Sequence, residues 1–337
     1  MKIGIVGDVH WSKYSSIVRS RGKKYSTRLE NCIDSINWAE SLFDEHSCDL
    51  IVYLGDFFDS SDLSAEEIAA LSELTWSKTQ HYFLIGNHEM GLHDLSFSSG
   101  HVFKLCENSI VIDNPCEEVI DNVNIVFLPY ILESERKPIE EYVSNKDSIV
   151  FSHNDLKGVQ LGKVVSNIGF LLSNIEDNCS LFINGHLHNG SNVSDKIINL
   201  GNLTGQNFSE DALKYAHHIS ILDTNNMSMM YFENPYALNF LKFDSENDSY
   251  KTMLHTIKEL GNVVCTIKIK ASEIDEYANL TELCVAGRYI IQPEFRENTN
   301  ETFETLSVNH LEKFKEYILN ELGNDEVVVH ELNNIVN

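Results

Sequence analysis

The sequence predicts an α/β fold: a β-sandwich flanked by helices, followed by a small C-terminal α/β capping unit. Three observations point there. Up to about residue 242, short apolar runs alternate with amphipathic helical stretches, the pattern of a layered α/β domain. Aspartate, asparagine and histidine cluster where those runs end, the place where α/β sheets build their sites. A polar stretch then precedes a second, shorter α/β pattern.

Lys2 to Gly7 reads as the first strand. Thr27 to His46 carries Leu29, Cys32, Ile33, Ile36, Ala39, Leu42 and Phe43 at helical spacing, so an amphipathic helix is expected. Asp49 to Leu54 is a buried strand. Ser64-Ala65-Glu66-Glu67 has the form of a capping box and opens a helix predicted to run to about Lys78. Further strands are expected at Tyr82 to Ile85, Val123 to Leu128, Ser148 to Ser152 and Ser180 to Asn184. From Lys196 to Phe232, strand runs separated by turn signals suggest a second sheet.

The apolar-free run Asp244-Ser245-Glu246-Asn247-Asp248-Ser249 sets the expected boundary between domains at 1–243 and 250–337. Beyond it, Cys265, Ile267 and Ile269 alternate as in a strand, and a second apolar run lies near Tyr289 to Ile291. A helix with Leu311, Phe314, Ile318 and Leu322 on one face stops at Gly323, and Val327 to Val329 reads as a last strand.

Composition narrows the function. The chain is 42% hydrophobic and 23% charged, ordinary for a soluble globular protein. Its apolar runs are strand-sized and its start has no signal-peptide pattern, so no membrane and a cytoplasmic location are expected. Seven scattered cysteines, with no Cys-x-x-Cys pair, read as reduced core residues. The formal charge of −26 argues against broad electrostatic attraction to nucleic acid.

The chemistry lies in five motifs: Asp8-Val9-His10, Gly55-Asp56, Gly86-Asn87-His88-Glu89, His153 and Gly185-His186-Leu187-His188. Carboxylate, imidazole and carboxamide without thiolate suit divalent ions such as Mn²⁺, Fe²⁺ or Zn²⁺. The number of donors implies two ions, and a carboxylate such as Asp56 can bridge a pair about 4 Å apart. His186 and His188 are two residues apart, so on an extended segment both side chains point the same way. Any one of these histidines alone reads as a hydrogen-bonded structural residue; together, at successive strand ends, they have no common structural explanation.

In this order the motifs resemble the calcineurin-like metallophosphoesterase family. The resemblance implies that Asp8, His10, Asp56 and His188 hold one metal, while Asp56, Asn87, His153 and His186 hold the other. It also implies that His88 gives a proton to the leaving oxygen and that Asp59, in Gly55-Asp56-Phe57-Phe58-Asp59, orients it. A positioned imidazole titrating near neutrality suits that role.

The substrate is less directly written. Between Trp11 and Arg28 lie Lys13, Arg19, Arg21, Lys23, Lys24 and Arg28 with no acid among them; such a loop could neutralise polyanion phosphates, with Tyr14 and Tyr25 stacking on bases. Within the family the chain looks most like the SbcD-type nuclease subunit of DNA recombination and end processing. The likeness rests on the Gly-Asp-x-Phe-Asp form, on Asn199-Leu200-Gly201-Asn202-Leu203-Thr204, and on the small cap. It implies a Mn²⁺-dependent DNA nuclease, with DNA and an SbcC-type ATPase as partners; a homodimer is the expected assembly. Glu89 stands where that subgroup commonly has aspartate. The chain ends a few residues past its last predicted strand, without the further helices through which such nucleases dock the ATPase, and Glu301 to Glu331 carries eight acids against two lysines. Two other readings stay open: a phosphodiesterase or phosphatase for a small phosphoester, which the −26 charge favours, and a non-catalytic scaffold.

Overall fold

The computed structural model describes residues 1–161, 164–210 and 212–292. Residues 1–292 form one unit. The expected helix around Leu311 to Leu322, the strand Val327 to Val329 and the acidic stretch lie outside the described residues.

The first sheet has six strands. Lys2–Val6 (β1), Leu50–Tyr53 (β2), Gln80–Leu84 (β3) and Ser109–Ile112 (β4) run parallel, with Ile3 opposite Leu50, Leu50 opposite Gln80, and His81 opposite Ser109. The second sheet takes Cys116–Ile120 (β5), Val123–Leu128 (β6), Ile149–Ser152 (β7), Leu181–Asn184 (β8), Ser191–Asn192 (β9) and Ile197–Asn199 (β10) in the order β9-β10-β8-β7-β6-β5. Here β6, β7, β8 and β10 are parallel, and β5 and β9 are antiparallel edges. His218–Asp223 (β11) and Ser228–Glu233 (β12) return to the first sheet, where β11 lies antiparallel to β1. The run from Lys196 to Phe232 therefore does not build a sheet of its own: its first strand joins the second sheet and its last two complete the first.

Strand alternation explains the layers. One face of each sheet turns inward, so Ile3, Ile5, Val52 and Leu84 meet Ile125, Phe127, Phe151 and Ile183 in a dry core between the sheets. The opposite face of the first sheet packs Val6, Tyr53 and Phe83 against Leu29, Ile36, Ala39 and Phe43 of the helix Thr27–Glu45 (α1). The helix Ala65–Ala70 (α2) caps one end of that layer, with Ala70 in the same cluster. The outer face of the second sheet sets Val126, Val150 and Phe182 against Ile175 of the helix Leu172–Asn178 (α3). The result is a β-sandwich with helices outside both sheets.

Helix α2 begins as its sequence predicts, with Ser64 Oγ accepting from Glu67 N–H and the Glu67 carboxylate accepting from Ser64 N–H. It does not reach Lys78. After a single 3₁₀ turn to Glu73, the Thr75 N–H donates to Asn37 Oδ1 and the Ser77 N–H to Glu40 Oε2. Side chains of α1 thus satisfy the backbone that would otherwise continue the helix.

A third, three-stranded parallel sheet joins Asn239–Asp244 (β13), Val263–Lys270 (β14) and Ala286–Gln292 (β15), with Leu241, Phe243, Cys265 and Ile267 buried against Met253 and Ile257 of the helix Tyr250–Leu260 (α4). Its first strand lies on the N-terminal side of the polar run 244–249.

One contact ties the first sheet to the segment after the second. A Cβ on Gly7 would stand 1.7 Å from the backbone oxygen of Gly201, and Leu203 N–H donates to Asp8 O at 2.8 Å. Replacing Gly7→Ala is expected to destabilise the protein by about 1–3 kcal/mol through forced backbone displacement, seen in urea denaturation as a lower midpoint at unchanged slope.

Candidate metal centre

The parallel strands β1, β2, β3, β7 and β8 end at one edge of the sandwich, and each delivers its motif there. Asp8 and His10 follow β1, Asp56 follows β2, Asn87 and His88 follow β3, His153 follows β7, and His186 and His188 follow β8. The chain must turn at once on leaving each strand. Accordingly His10, Asp56 and His186 hold positive φ of 51°, 47° and 70°, a strained state for such residues that clusters at functional sites.

Asp8, His10, His153 and Asp56 are at most 1% exposed. Asp8, His10 and His188 bring one ligand atom each within 4.8 Å of one another; so do Asp56, His153 and His186, and so do His10, Asp56 and His88. Asn87 Oδ1 lies 3.2 Å from His153 Nε2 and 2.9 Å from His186 Nδ1. All seven candidate ligands converge.

The hydrogen bonds behind the imidazoles indicate which nitrogen of each is left for a ligand. His10 Nδ1 donates to Asp59 Oδ1 at 3.0 Å, His153 Nδ1 to the Leu54 carbonyl at 2.8 Å, His186 Nε2 to Asp155 Oδ1 at 3.1 Å and His188 Nδ1 to Glu210 Oε1 at 3.1 Å. In a neutral imidazole these bonds leave one nitrogen free to face inward; a protonated His153 instead donates from Nε2 to Asp56 Oδ2 at 3.1 Å. His10 Nε2 stands 2.9 Å from His188 Nε2, and the Asn87 oxygen faces two more ring nitrogens. The buried Asp8 Oδ2 has no hydrogen-bond partner among the described residues. A buried cluster of carboxylate, carboxamide and imidazole groups, with an orphaned carboxylate oxygen between strand ends, fits two cations.

Where no cation is bound, histidine protons balance the carboxylates: burial opposes this, but Asp56 and then Asp8 push His153 up to about 9. Burial opposes ionisation of Asp56, but His153, then His10 and His88, hold its carboxyl far below the usual range. His88 is pushed up to about 9, chiefly by Asp59, whose Oδ1 is 3.5 Å from His88 Nδ1. Asp59 is shared, because the same oxygen accepts from His10 and from Gln206 Nε2.

Two supporting residues escaped the sequence reading. Asp155 and Glu210 anchor ligand histidines. Glu89, which is not turned to the cation space, accepts from Gly86 N–H at 2.8 Å and Phe58 N–H at 3.1 Å, bracing the loops that carry Asn87 and Asp56; burial and then Asp56 push its carboxyl up to about 7. The Asn199–Thr204 phrase is woven into the site: Asn199 Nδ2 donates to Leu187 O and Asn202 N–H to His188 O.

Much of the basic loop is paired with its own neighbours. Lys13 and Arg21 pair with Glu66 at 2.9 and 2.7 Å, Lys24 with Glu73 at 2.6 Å, and Lys23 sits beside Glu30. Arg19 Nε donates to Ser16 O. Arg28 is fully buried and donates to the carbonyls of Val9, His10 and Gly205, so it holds the His10 loop in place and is no part of a surface patch. Tyr25 is 8% exposed with its hydroxyl on Ala69 O, which removes it as a stacking platform; Tyr14 is 43% exposed.

The calcineurin-like phosphoesterase profile matches residues 1–190, more than half of the chain, and takes in every candidate ligand. The chain belongs to that family. Members hydrolyse phosphoesters with a dimetal centre, which the seven donors here fit. Among solved structures, a dimetal phosphatase from Danio rerio is similar over 65% of this chain and 91% of its own, at 14% identity and a TM-score of 0.41. The protein TT1561 of Thermus thermophilus is similar over 69% of this chain and 98% of its own, at 10% identity and a TM-score of 0.40. No curated protein sequence matches the chain. No helix among the described residues is long and apolar enough to cross a membrane.

Divalent cations should therefore stabilise the folded protein. At a hundredfold excess over its dissociation constant, each ion adds about 2.7 kcal/mol. A melting temperature that rises with Mn²⁺ and falls back with EDTA is expected, with most of the rise lost in Asp56→Asn; an unchanged melting temperature would speak against the centre.

Proposed function

We propose that this protein is a two-metal phosphodiesterase that cleaves DNA, an SbcD-like nuclease of recombination, repair or end processing. The observation that carries the reading is the place of the centre: it lies at the ends of the parallel strands, with two hollows near it. One hollow, of about 740 Å³, is lined by His186, His188 and Asn189 together with Ser209 and Tyr215; the other, of about 700 Å³, begins at Met90. A strand can run across such a surface with one phosphate at the centre. The Gly-Asp-x-Phe-Asp and Asn199–Thr204 likenesses add support, since both segments build the site.

Bound divalent ions, Mn²⁺ in this reading, would supply Lewis acidity to the phosphoryl oxygens and lower the pKa of water towards about 7. Asp8, His10, Asp56 and His188 would hold one, and Asp56, Asn87, His153 and His186 the other. The chain's own residues do the rest. Asp59 engages His88 Nδ1, which leaves Nε2 to carry the proton passed to the leaving oxygen. His88 is 41% exposed in its side chain and so reachable by substrate. Three cations of the basic loop, Lys13, Arg21 and Lys24, are paired with Glu66 and Glu73, while Arg19 donates to the Ser16 carbonyl. An SbcC-type ATPase and a homodimeric assembly are part of the same proposal.

The pairing of that loop favours a second reading, a phosphodiesterase or phosphatase for a small nucleotide or other phosphoester. Incubation with Mn²⁺ separates the two. The nuclease reading expects linear DNA to be degraded by wild type, not by Asp8→Ala, and about 10²–10⁴-fold more slowly by His88→Ala, the usual share of a general acid. DNA left intact, with the ATPase supplied, while cyclic or mononucleotides turn over would select the small-substrate reading.

A further inference from the structure

We propose that the hollow beginning at Met90 is the subsite that receives the nucleobase next to the scissile phosphate. This rests on the phosphodiesterase reading and adds which part of the substrate the protein grips.

The hollow's volume of about 700 Å³ falls within the roughly 300–1,000 Å³ of small-molecule sites. Two features tie it to the centre. Its wall starts at Met90, two residues past His88, and includes Tyr130, whose ring centroid is 5.9 Å from that of His186. Tyr130 is held there by its backbone N–H, which donates at 2.9 Å to Ile85 O beside the Asn87 turn.

The lining is made for a flat, neutral, nitrogen-rich ring. Tyr130 and Tyr142 offer aromatic surface and Leu95 and Ile131 apolar surface; stacking one base on such a ring is worth roughly tenfold in affinity or more. The same walls carry Asp94, Asp113 and Glu135 together with His93, and among the described residues no lysine or arginine lines them. Carboxylates repel a phosphate and accept from the amino groups of a base. The charge distribution therefore directs the phosphate to the cations and the base to the hollow.

The rim carries a strained turn. Met90–Gly91 pairs with Asp94–Ser98 in a hairpin closed by Leu92 and His93, at φ of 54° and 56°. A two-residue turn with both φ positive normally uses Asn-Gly, and for leucine it is costly. Leu92 is 84% exposed, so no burial offsets the cost. A strained, apolar residue held out at the mouth of a hollow beside a catalytic centre fits a preformed clamp.

The test compares two diesters in the presence of Mn²⁺: deoxyadenosine 5′-(p-nitrophenyl phosphate) and methyl p-nitrophenyl phosphate. Each hydrolysis consumes one water, breaks the bond from phosphorus to the aryl oxygen and releases p-nitrophenolate. The proposal expects wild-type kcat/KM to favour the nucleoside ester by at least about tenfold, and that ratio to collapse towards one in Tyr130→Ala and in Leu92→Asp. The second substitution sits at an exposed position, which keeps the test independent of folding. A wild-type ratio near one, or a ratio unmoved in both variants, overturns the subsite while leaving the phosphodiesterase reading intact. Turnover of neither ester overturns that reading and the subsite with it.

Discussion

A buried cluster of carboxylate, carboxamide and imidazole groups facing one another is the constraint on which the rest of this structure depends. Asp8, Asp56, Asn87 and four imidazoles meet at the end of the sandwich, and Arg28, a fully buried cation nearby, is turned away to backbone carbonyls. Buried charge without a partner is among the costliest features a fold can hold. The arrangement persists because the strands that present it are locked by two apolar cores, one between the sheets and one under α1, while hydrogen bonds behind each imidazole fix its orientation.

Those outer bonds come from distant parts of the chain. Asp59 serves His10, Asp155 serves His186, Glu210 serves His188, and Glu89 spans the Asp56 and Asn87 loops. Such partners raise the basicity of ligands and set their orientation. The candidate centre is thus braced by hydrogen bonds where it would hold cations, while the His88 side chain beside it is exposed. Chemistry resides in the strand ends, and selectivity in the loops around them.

Much of this was legible in the sequence because its signal is local. A strand, a glycine and a polar donor form a single short word, so the seven candidate ligands and the strands behind them could be read directly. The capping box at Ser64 was equally local. Pairings across the fold were not legible. Counting charge between Trp11 and Arg28 gave a basic loop, but Glu66 and Glu73, tens of residues onward, meet Lys13, Arg21 and Lys24 in space. Helix α2 looked longer than it is because nothing near it in sequence announced that Asn37 and Glu40 would take the amides of Thr75 and Ser77. Strands β11 and β12 were assigned to the wrong sheet for the same reason: alternation shows a strand, not its neighbour. Asp155 and Glu210 carried no motif, although each stands within a short stretch of polar residues next to a ligand or its supporting loop.

The central claim is that this cluster holds two cations bridged by Asp56. Anomalous X-ray diffraction from crystals grown with Mn²⁺ tests it most directly. The account predicts two anomalous peaks about 4 Å apart, one against Asp8, His10 and His188, the other against Asn87, His153 and His186, with the Asp56 carboxylate between them. A single peak, or density for Mn²⁺ elsewhere with these side chains unliganded, would contradict it.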